Sequence, residues 1–114
     1  MSEVIEKLET LKSSGGKPVS KMTLQRAIEL GEYDPEFLST FPEWHTLSPH
    51  VQLQFIRNGL DNRERQLVVQ WSEINNVLDF RLKPQMREAL RNIERQLDKV
   101  HSDRERLYLE YSKK

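Results

Sequence analysis

The sequence predicts an all-α protein built around one long antiparallel helical hairpin, with short N-terminal helices that pack on its open end. Apolar side chains recur three and four residues apart in two successive stretches, about 49–79 and 84–111, as in paired helices. Only a short connection separates the two stretches, which favours antiparallel neighbours. The apolar fraction, 36% beside 32% charged residues, suits the narrow core of such a hairpin.

Length and composition exclude several other classes of protein. The 114 residues suffice for one domain but not for two independent ones. The chain has no cysteine, which excludes a disulfide scaffold, a thiol nucleophile and cysteine-ligated metal sites. The longest apolar run, 67–69, is too short to cross a membrane, and the charged N-terminus is unlike a signal peptide. We therefore expect a cytoplasmic protein without a membrane partner.

Residues 1–12 are predicted to form an amphipathic helix. Four apolar side chains share one face of it: Val4, Ile5, Leu8 and Leu11. Residues 13–18 contain two serines and two glycines before a proline, and this composition predicts a flexible linker. The first helix is thus expected to be tethered, and to dock either on its own chain or on another.

Residues 19–114 are predicted to form a single helical domain. Within it, 19–48 supplies short helices and an aromatic plug, and 49–111 supplies the hairpin. The plug consists of aromatic residues that lie in or just after the segment leading to the open end: Tyr33, Phe37, Phe41, Trp44 and Phe55. Because each aromatic side chain can bury about 150–250 Å², several of them together can anchor this segment on the hairpin.

The short helices have recognisable start and stop signals. The first is expected from about 21 to 30, with Ser20 as its N-cap and Gly31 ending it in a left-handed conformation. Asp34 followed by Pro35 marks the start of a second, shorter helix.

The hairpin has similar signals and a predicted register. Ser48 precedes Pro49 at the start of the first arm, and Pro84 begins the second. A turn near residue 82 would bring three pairs together: Ile74 with Leu90, Leu67 with Leu97, and Leu60 with Arg104. Arg104 interrupts the apolar spacing, and we expect its guanidinium group to reach water along the seam.

Trp71 is the candidate interface residue. On a hairpin of two helices, one facing helix cannot fully cover a tryptophan, so Trp71 predicts a third layer. The first helix of the same chain or a partner chain would form that layer. Self-association, for example as a dimer, would also supply buried surface that a two-helix hairpin lacks.

A cluster of cations near the hairpin tip is the candidate binding site for phosphate or an acidic partner. It consists of five residues: Arg81, Lys83, Arg87, Arg91 and Arg95. Only Glu88 and Glu94 oppose them between residues 80 and 95. The last four recur every four residues and form a ridge that can follow a phosphate backbone, although a solvated helix surface explains the same pattern.

No motif for catalysis or metal binding is present. The three histidines, His45, His50 and His101, do not have the spacing of a zinc site, and no Gly-x-Ser-x-Gly or glycine-rich phosphate loop occurs. We therefore expect neither an enzyme nor a bound metal, cofactor or small-molecule substrate. The sequence predicts a helical protein–protein interaction or adaptor protein that can self-associate through the hairpin. The alternative is RNA or DNA binding by the basic ridge.

Overall fold

The computed structural model describes residues 22–76 and 83–114, and all regular secondary structure in these ranges is helical. The elements, in chain order, are α1 (Leu24–Glu29), α2 (Pro35–Leu38), a 3-10 helix (Pro42–Thr46), α3 (Pro49–Asn75) and α4 (Pro84–Ser112). Helices α3 and α4 pack along each other as a long hairpin. The all-α hairpin fold class predicted from the sequence is confirmed.

Three helices begin where the sequence places them. The side chains of Asp34 and Ser48 accept backbone N–H groups in the first turns of α2 and α3, and a proline follows each cap. Pro84 is the first residue of α4. At this position proline loses no helical hydrogen bond, because the first N–H groups of a helix have no partner within the helix.

Two other boundaries differ from the prediction. Helix α1 begins at Leu24 because the Thr23 hydroxyl caps it, whereas the predicted cap, Ser20, lies outside the described residues. Pro42 begins a 3-10 helix that the sequence analysis did not anticipate. The predicted helix at 1–12 and linker at 13–18 also lie outside the described residues.

Contacts across the hairpin agree with the predicted register. Trp71 contacts Glu94, Asp61 contacts Arg104, and Arg57 lies against Tyr108. The midpoint of every pair falls between residues 82 and 83, where the sequence predicts the turn. The register therefore follows from the position of the turn and the apolar spacing of the two arms.

Residues 22–48, here called the N-terminal segment, lie along one flank of α3 as well as near the open end. The side chains of Asn62 and Gln66 donate to the carbonyl oxygens of Ile28 and Leu30. The backbone of the segment comes so close to α3 that a Cβ atom at Gly59 would overlap the carbonyl oxygen of Glu32. The glycine in the middle of α3 thus permits a close approach of two chain segments.

The core is concentrated where the N-terminal segment covers the hairpin. The largest fully buried side chains all lie there: Leu38, Ile56, Leu60 and Leu107. Of the predicted aromatic plug, Trp44 is buried, Tyr33, Phe41 and Phe55 are half-buried, and Phe37 is exposed. The covered part of the hairpin therefore has three packed layers.

Nearer the tip, in residues 67–76 and 83–97, the hairpin has only two helices. We call this part the distal arm. Its buried apolar residues are Leu67 and Ile93, whereas Trp71, Ile74 and Leu97 pack against the core with only part of their surface covered.

Candidate interaction surface

One flank of the hairpin, opposite the N-terminal segment, is closed by polar contacts between α3 and α4. The Arg104 guanidinium donates to Asp61 at 2.9 Å and to Glu64 at 3.1 Å, and His101 Nε2 lies 2.8 Å from the other oxygen of Glu64. We call these four residues the polar clasp. It bridges the two helices near the middle of the hairpin.

The clasp corrects the expectation that Arg104 reaches into water. Its side chain is only 23% exposed. Burial opposes its charge, but the hydrogen bond to Glu64 and the negative charges of Glu64 and Asp61 act together with smaller effects to outweigh burial, so the pKa of Arg104 is raised. The hydrogen bond from His101 is the largest of the contributions that hold the pKa of Glu64 below its usual value. The guanidinium group of Arg104 thus forms an ion pair that depends on the register of the two helices, and it does not extend into water as expected.

An apolar strip continues this flank beyond the clasp. Val68 is one turn from both Glu64 and Trp71 on α3 and is 46% exposed. On α4, Leu90 and Leu97 lie one turn to either side of Glu94, the residue that accepts the Trp71 N–H at 3.1 Å. We call these five residues the Trp71 flank: Val68, Trp71, Leu90, Glu94 and Leu97.

The Trp71 flank is where the structure places the predicted interface residue. Trp71 is half-buried, and its one polar atom is satisfied by Glu94. The hydrogen bonds that α3 side chains donate to the N-terminal segment extend toward the distal arm only as far as Gln66. Within the described residues, the part of the indole that one facing helix leaves uncovered has no third layer over it.

The predicted basic ridge lies on α4 and winds around it. Lys83, Arg87, Arg91 and Arg95 are all exposed, and Arg81 lies outside the described residues. A step of four residues turns about 400°, so successive members move about 40° around the helix. The structure therefore spreads these cations over more than one face of α4.

Carboxylates near the ridge act differently from one another. Glu88 approaches Arg91 at 3.9 Å and Arg95 at 3.5 Å, but both arginines are more than 60% exposed, so these contacts add little stability. Glu94 is turned toward Trp71 instead. Residues 83–95 therefore carry four cations against two carboxylates, a net charge of +2.

A polar cavity of about 430 Å³ lies between the N-terminal segment and the two long helices. At its wall, the buried Asp103 accepts hydrogen bonds from Tyr33 and Lys99, each at 2.6 Å. Arg63 donates to the Gly31 carbonyl and to a Glu32 oxygen. These groups are paired within the chain, so we interpret them as an anchor for the N-terminal segment.

The pKa values of Asp103 and Tyr33 are consistent with the role of these residues as an anchor. Burial opposes the ionisation of Asp103, but hydrogen bonds from Lys99 and Tyr33 outweigh it and hold the pKa of this carboxyl below its usual value. Burial and the hydrogen bond to Asp103 raise the pKa of Tyr33. Asp103 was not among the residues predicted from the sequence, although its spacing from Val100 and Leu107 places it on the buried face of α4.

The histidines do not form a site together. His45 lies 2.7 Å from the carbonyl oxygen of Ser39, and His101 belongs to the polar clasp. In residues 22–76 and 83–114, no group of three or more acidic or histidine side chains is arranged to hold a metal ion.

Comparison of the chain with protein families, with curated proteins and with solved structures finds no match. Among the helices of the described residues, none has a stretch apolar and long enough to cross a bilayer.

Proposed function

We propose that this protein is a non-catalytic helical interaction protein that packs its Trp71 flank against an amphipathic helix, supplied by a partner protein or by a second copy. The main supporting observation is the contrast between the two halves of one hairpin. Under the N-terminal segment, Leu60 and Leu107 are completely buried, whereas Trp71 and Leu97 in the distal arm are only partly covered.

The chemistry of the flank suits a helix as the bound element. Its apolar residues are three residues apart on α3 and seven apart on α4, spacings that keep them on one face of each helix and let a further helix pack into the groove between the two. Tryptophan is among the residues most often found at the energetic centre of interfaces. Glu94 and the polar clasp border the apolar strip with charged groups, as a polar rim surrounds an interface core.

A matched pair of substitutions tests this proposal. Val68 and Val69 are almost equally exposed, at 46% and 49%, but they are about 100° apart on α3. Val68→Glu places a charge in the Trp71 flank, and Val69→Glu places the same charge outside it. Self-association is measured by sedimentation velocity over a range of concentrations, and partner capture by affinity purification with the full chain.

The proposal predicts that Val68→Glu abolishes binding and that Val69→Glu retains it. Circular dichroism of both variants confirms that the helices remain intact. Equal binding by the two variants would contradict the proposal, as would a chain that neither self-associates nor retains any protein in a manner sensitive to Val68.

A second candidate function, RNA or DNA binding, is favoured by the exposure of Arg87, Arg91 and Arg95. Phosphate binding by such cations depends steeply on salt, because neutralised phosphates release their counterions. A double substitution, Arg87→Glu with Arg91→Glu, would then weaken binding to a labelled RNA or DNA duplex by at least about tenfold at low salt. Binding that is unchanged by this substitution, or insensitive to salt, excludes the ridge as a nucleic-acid site.

A further inference from the structure

We propose that residues 2–12 of this chain dock on its own Trp71 flank and regulate the access of partners to it. The inference rests on the proposed function, since it concerns what covers the same surface when no partner is bound. The docking segment lies outside the described residues, so the argument uses its sequence together with the described surface.

The segment matches the flank in size and pattern. Its four apolar residues, Val4, Ile5, Leu8 and Leu11, form one helical stripe. As a helix, its eleven residues would be about 16 Å long, close to the roughly 15 Å of α3 between Leu67 and Asn76. A stripe of this length can cover Val68 and Trp71 together.

The connection is long enough for docking within one chain. Residues 13–21 can span about 30 Å when extended. Their end is fixed by α1, which is held on α3 by the 2.9 Å hydrogen bond between Asn62 and the Ile28 carbonyl. From Met22 along α1, around α3 and on to Val68, the path is on the order of 25 Å, given the rise and diameter of a helix.

Tethering also favours this occupant over one that must diffuse to the flank. A segment on a short flexible linker has an effective concentration in the millimolar range. An eleven-residue helix is marginal in water by itself, so it gains order only by packing on a surface. The charges are compatible as well: the segment has three glutamates against two lysines, and residues 83–95, at the start of α4, have four cations against two carboxylates.

The absence of cysteine allows a direct test by disulfide trapping in the full chain. A Leu8→Cys, Val68→Cys variant is oxidised under mild conditions and analysed on a non-reducing gel. The proposal predicts a monomer with an intrachain disulfide that forms at least about tenfold faster than in a Leu8→Cys, Val69→Cys control.

Two results would overturn this docking. If the disulfide in the Leu8→Cys, Val68→Cys variant forms no faster than the one in the control, residues 2–12 do not occupy the Trp71 flank. If oxidation of Val68→Cys alone yields a covalent dimer, and the double variant gives that dimer in place of an intrachain bond, a second copy covers the flank.

A second variant tests regulation separately from docking. Leu8→Gln removes an apolar anchor, and Glu9→Gln is the control on the polar side of the same segment. Partner capture or self-association should rise several-fold in Leu8→Gln alone, and unchanged binding overturns the regulatory role. The proposed function has its own criterion, the difference between Val68→Glu and Val69→Glu. If the intrachain disulfide forms but Val68→Glu and Val69→Glu bind equally, docking would be supported and partner binding contradicted.

Discussion

At the scale of single residues, two side-chain positions acquire their roles only through contacts between distant parts of the chain. Gly59 makes room for the carbonyl of Glu32, and Asp103 receives the hydroxyl of Tyr33, which is 70 residues away in sequence. Helix propensity would predict that alanine is better than glycine at position 59. The charge of an aspartate would predict that Asp103 faces water. Both residues instead attach the N-terminal segment to the hairpin.

Gly59→Ala reverses the usual effect of this substitution. In an exposed helix the change stabilises by about 1 kcal/mol, but here the added methyl group overlaps a backbone carbonyl that cannot rotate away. We expect the free energy of unfolding in urea to fall by about 2 kcal/mol or more, as in overpacked interiors. Asn58→Ala, at an exposed neighbouring position, should change it by less than about 0.5 kcal/mol. A stabilised Gly59→Ala variant would contradict the close approach.

Asp103→Asn should destabilise the protein in a pH-dependent way. The carboxylate accepts bonds from a tyrosine and a lysine, and we expect a loss of about 2 kcal/mol at pH 7. Because its folded pKa lies below the unfolded value of about 3.9, this stabilisation is present above that value and is lost as pH falls through the folded pKa. The difference in the free energy of unfolding between wild type and variant, measured by urea titration, should therefore shrink below about pH 4. A difference that stays constant down to pH 2 would exclude ionised Asp103 as its source.

At the scale of elements, the sequence predicts most of the hairpin because local rules determine it. Ser48 and Asp34 cap helices through contacts within a few residues, and apolar spacing identifies the buried face of α3 and α4. The partners of Arg104 are not determined by local rules. They depend on the register of α3 against α4, which decides which α3 residues lie opposite Arg104. Once the turn is placed near residue 82, Asp61 and Glu64 can be found by counting along the antiparallel helix.

The polar clasp predicts measurable coupling between α3 and α4. A double-mutant cycle of Arg104→Met and Glu64→Gln removes the pair in two steps, and the cycle isolates their interaction from other effects. Both side chains are partly exposed, so we expect a coupling energy of about 1 kcal/mol at low salt, falling as salt is added. Arg106 and Glu110, 3.6 Å apart and exposed on α4, form the control pair and should give less than about 0.5 kcal/mol. Equal coupling in the two pairs would show that the clasp is no stronger than a surface ion pair.

At the scale of the whole molecule, the described residues form three packed layers where residues 22–48 cover the hairpin and two layers in the distal arm. From the sequence alone, Trp71 predicts a third layer, because a large aromatic side chain in a two-helix seam cannot be fully covered by one facing helix. The limits of the covered region are a different matter. They depend on where Asn62 and Gln66 meet the carbonyls of Ile28 and Leu30 at the C-terminal end of α1, and no local pattern specifies that contact. The sequence thus suggests Trp71 as a candidate interface residue, but it does not define the extent of the surface around it.

The change in layers predicts a gradient of local stability, which amide hydrogen exchange can measure. Local unfolding is easiest where few apolar contacts hold a helix, so the distal arm should unfold locally while the half covered by the N-terminal segment stays folded. We expect amides in 68–75 and 86–95 to exchange at least about a hundredfold faster than those in 54–66 and 100–110 at neutral pH. Val68→Glu should leave protection of the covered half unchanged, because Val68 is exposed and the fully buried side chains of that half, Ile56, Leu60 and Leu107 among them, do not include it. Uniform protection along both helices would instead mean that the hairpin unfolds as one unit, with a distal arm as well packed as the rest.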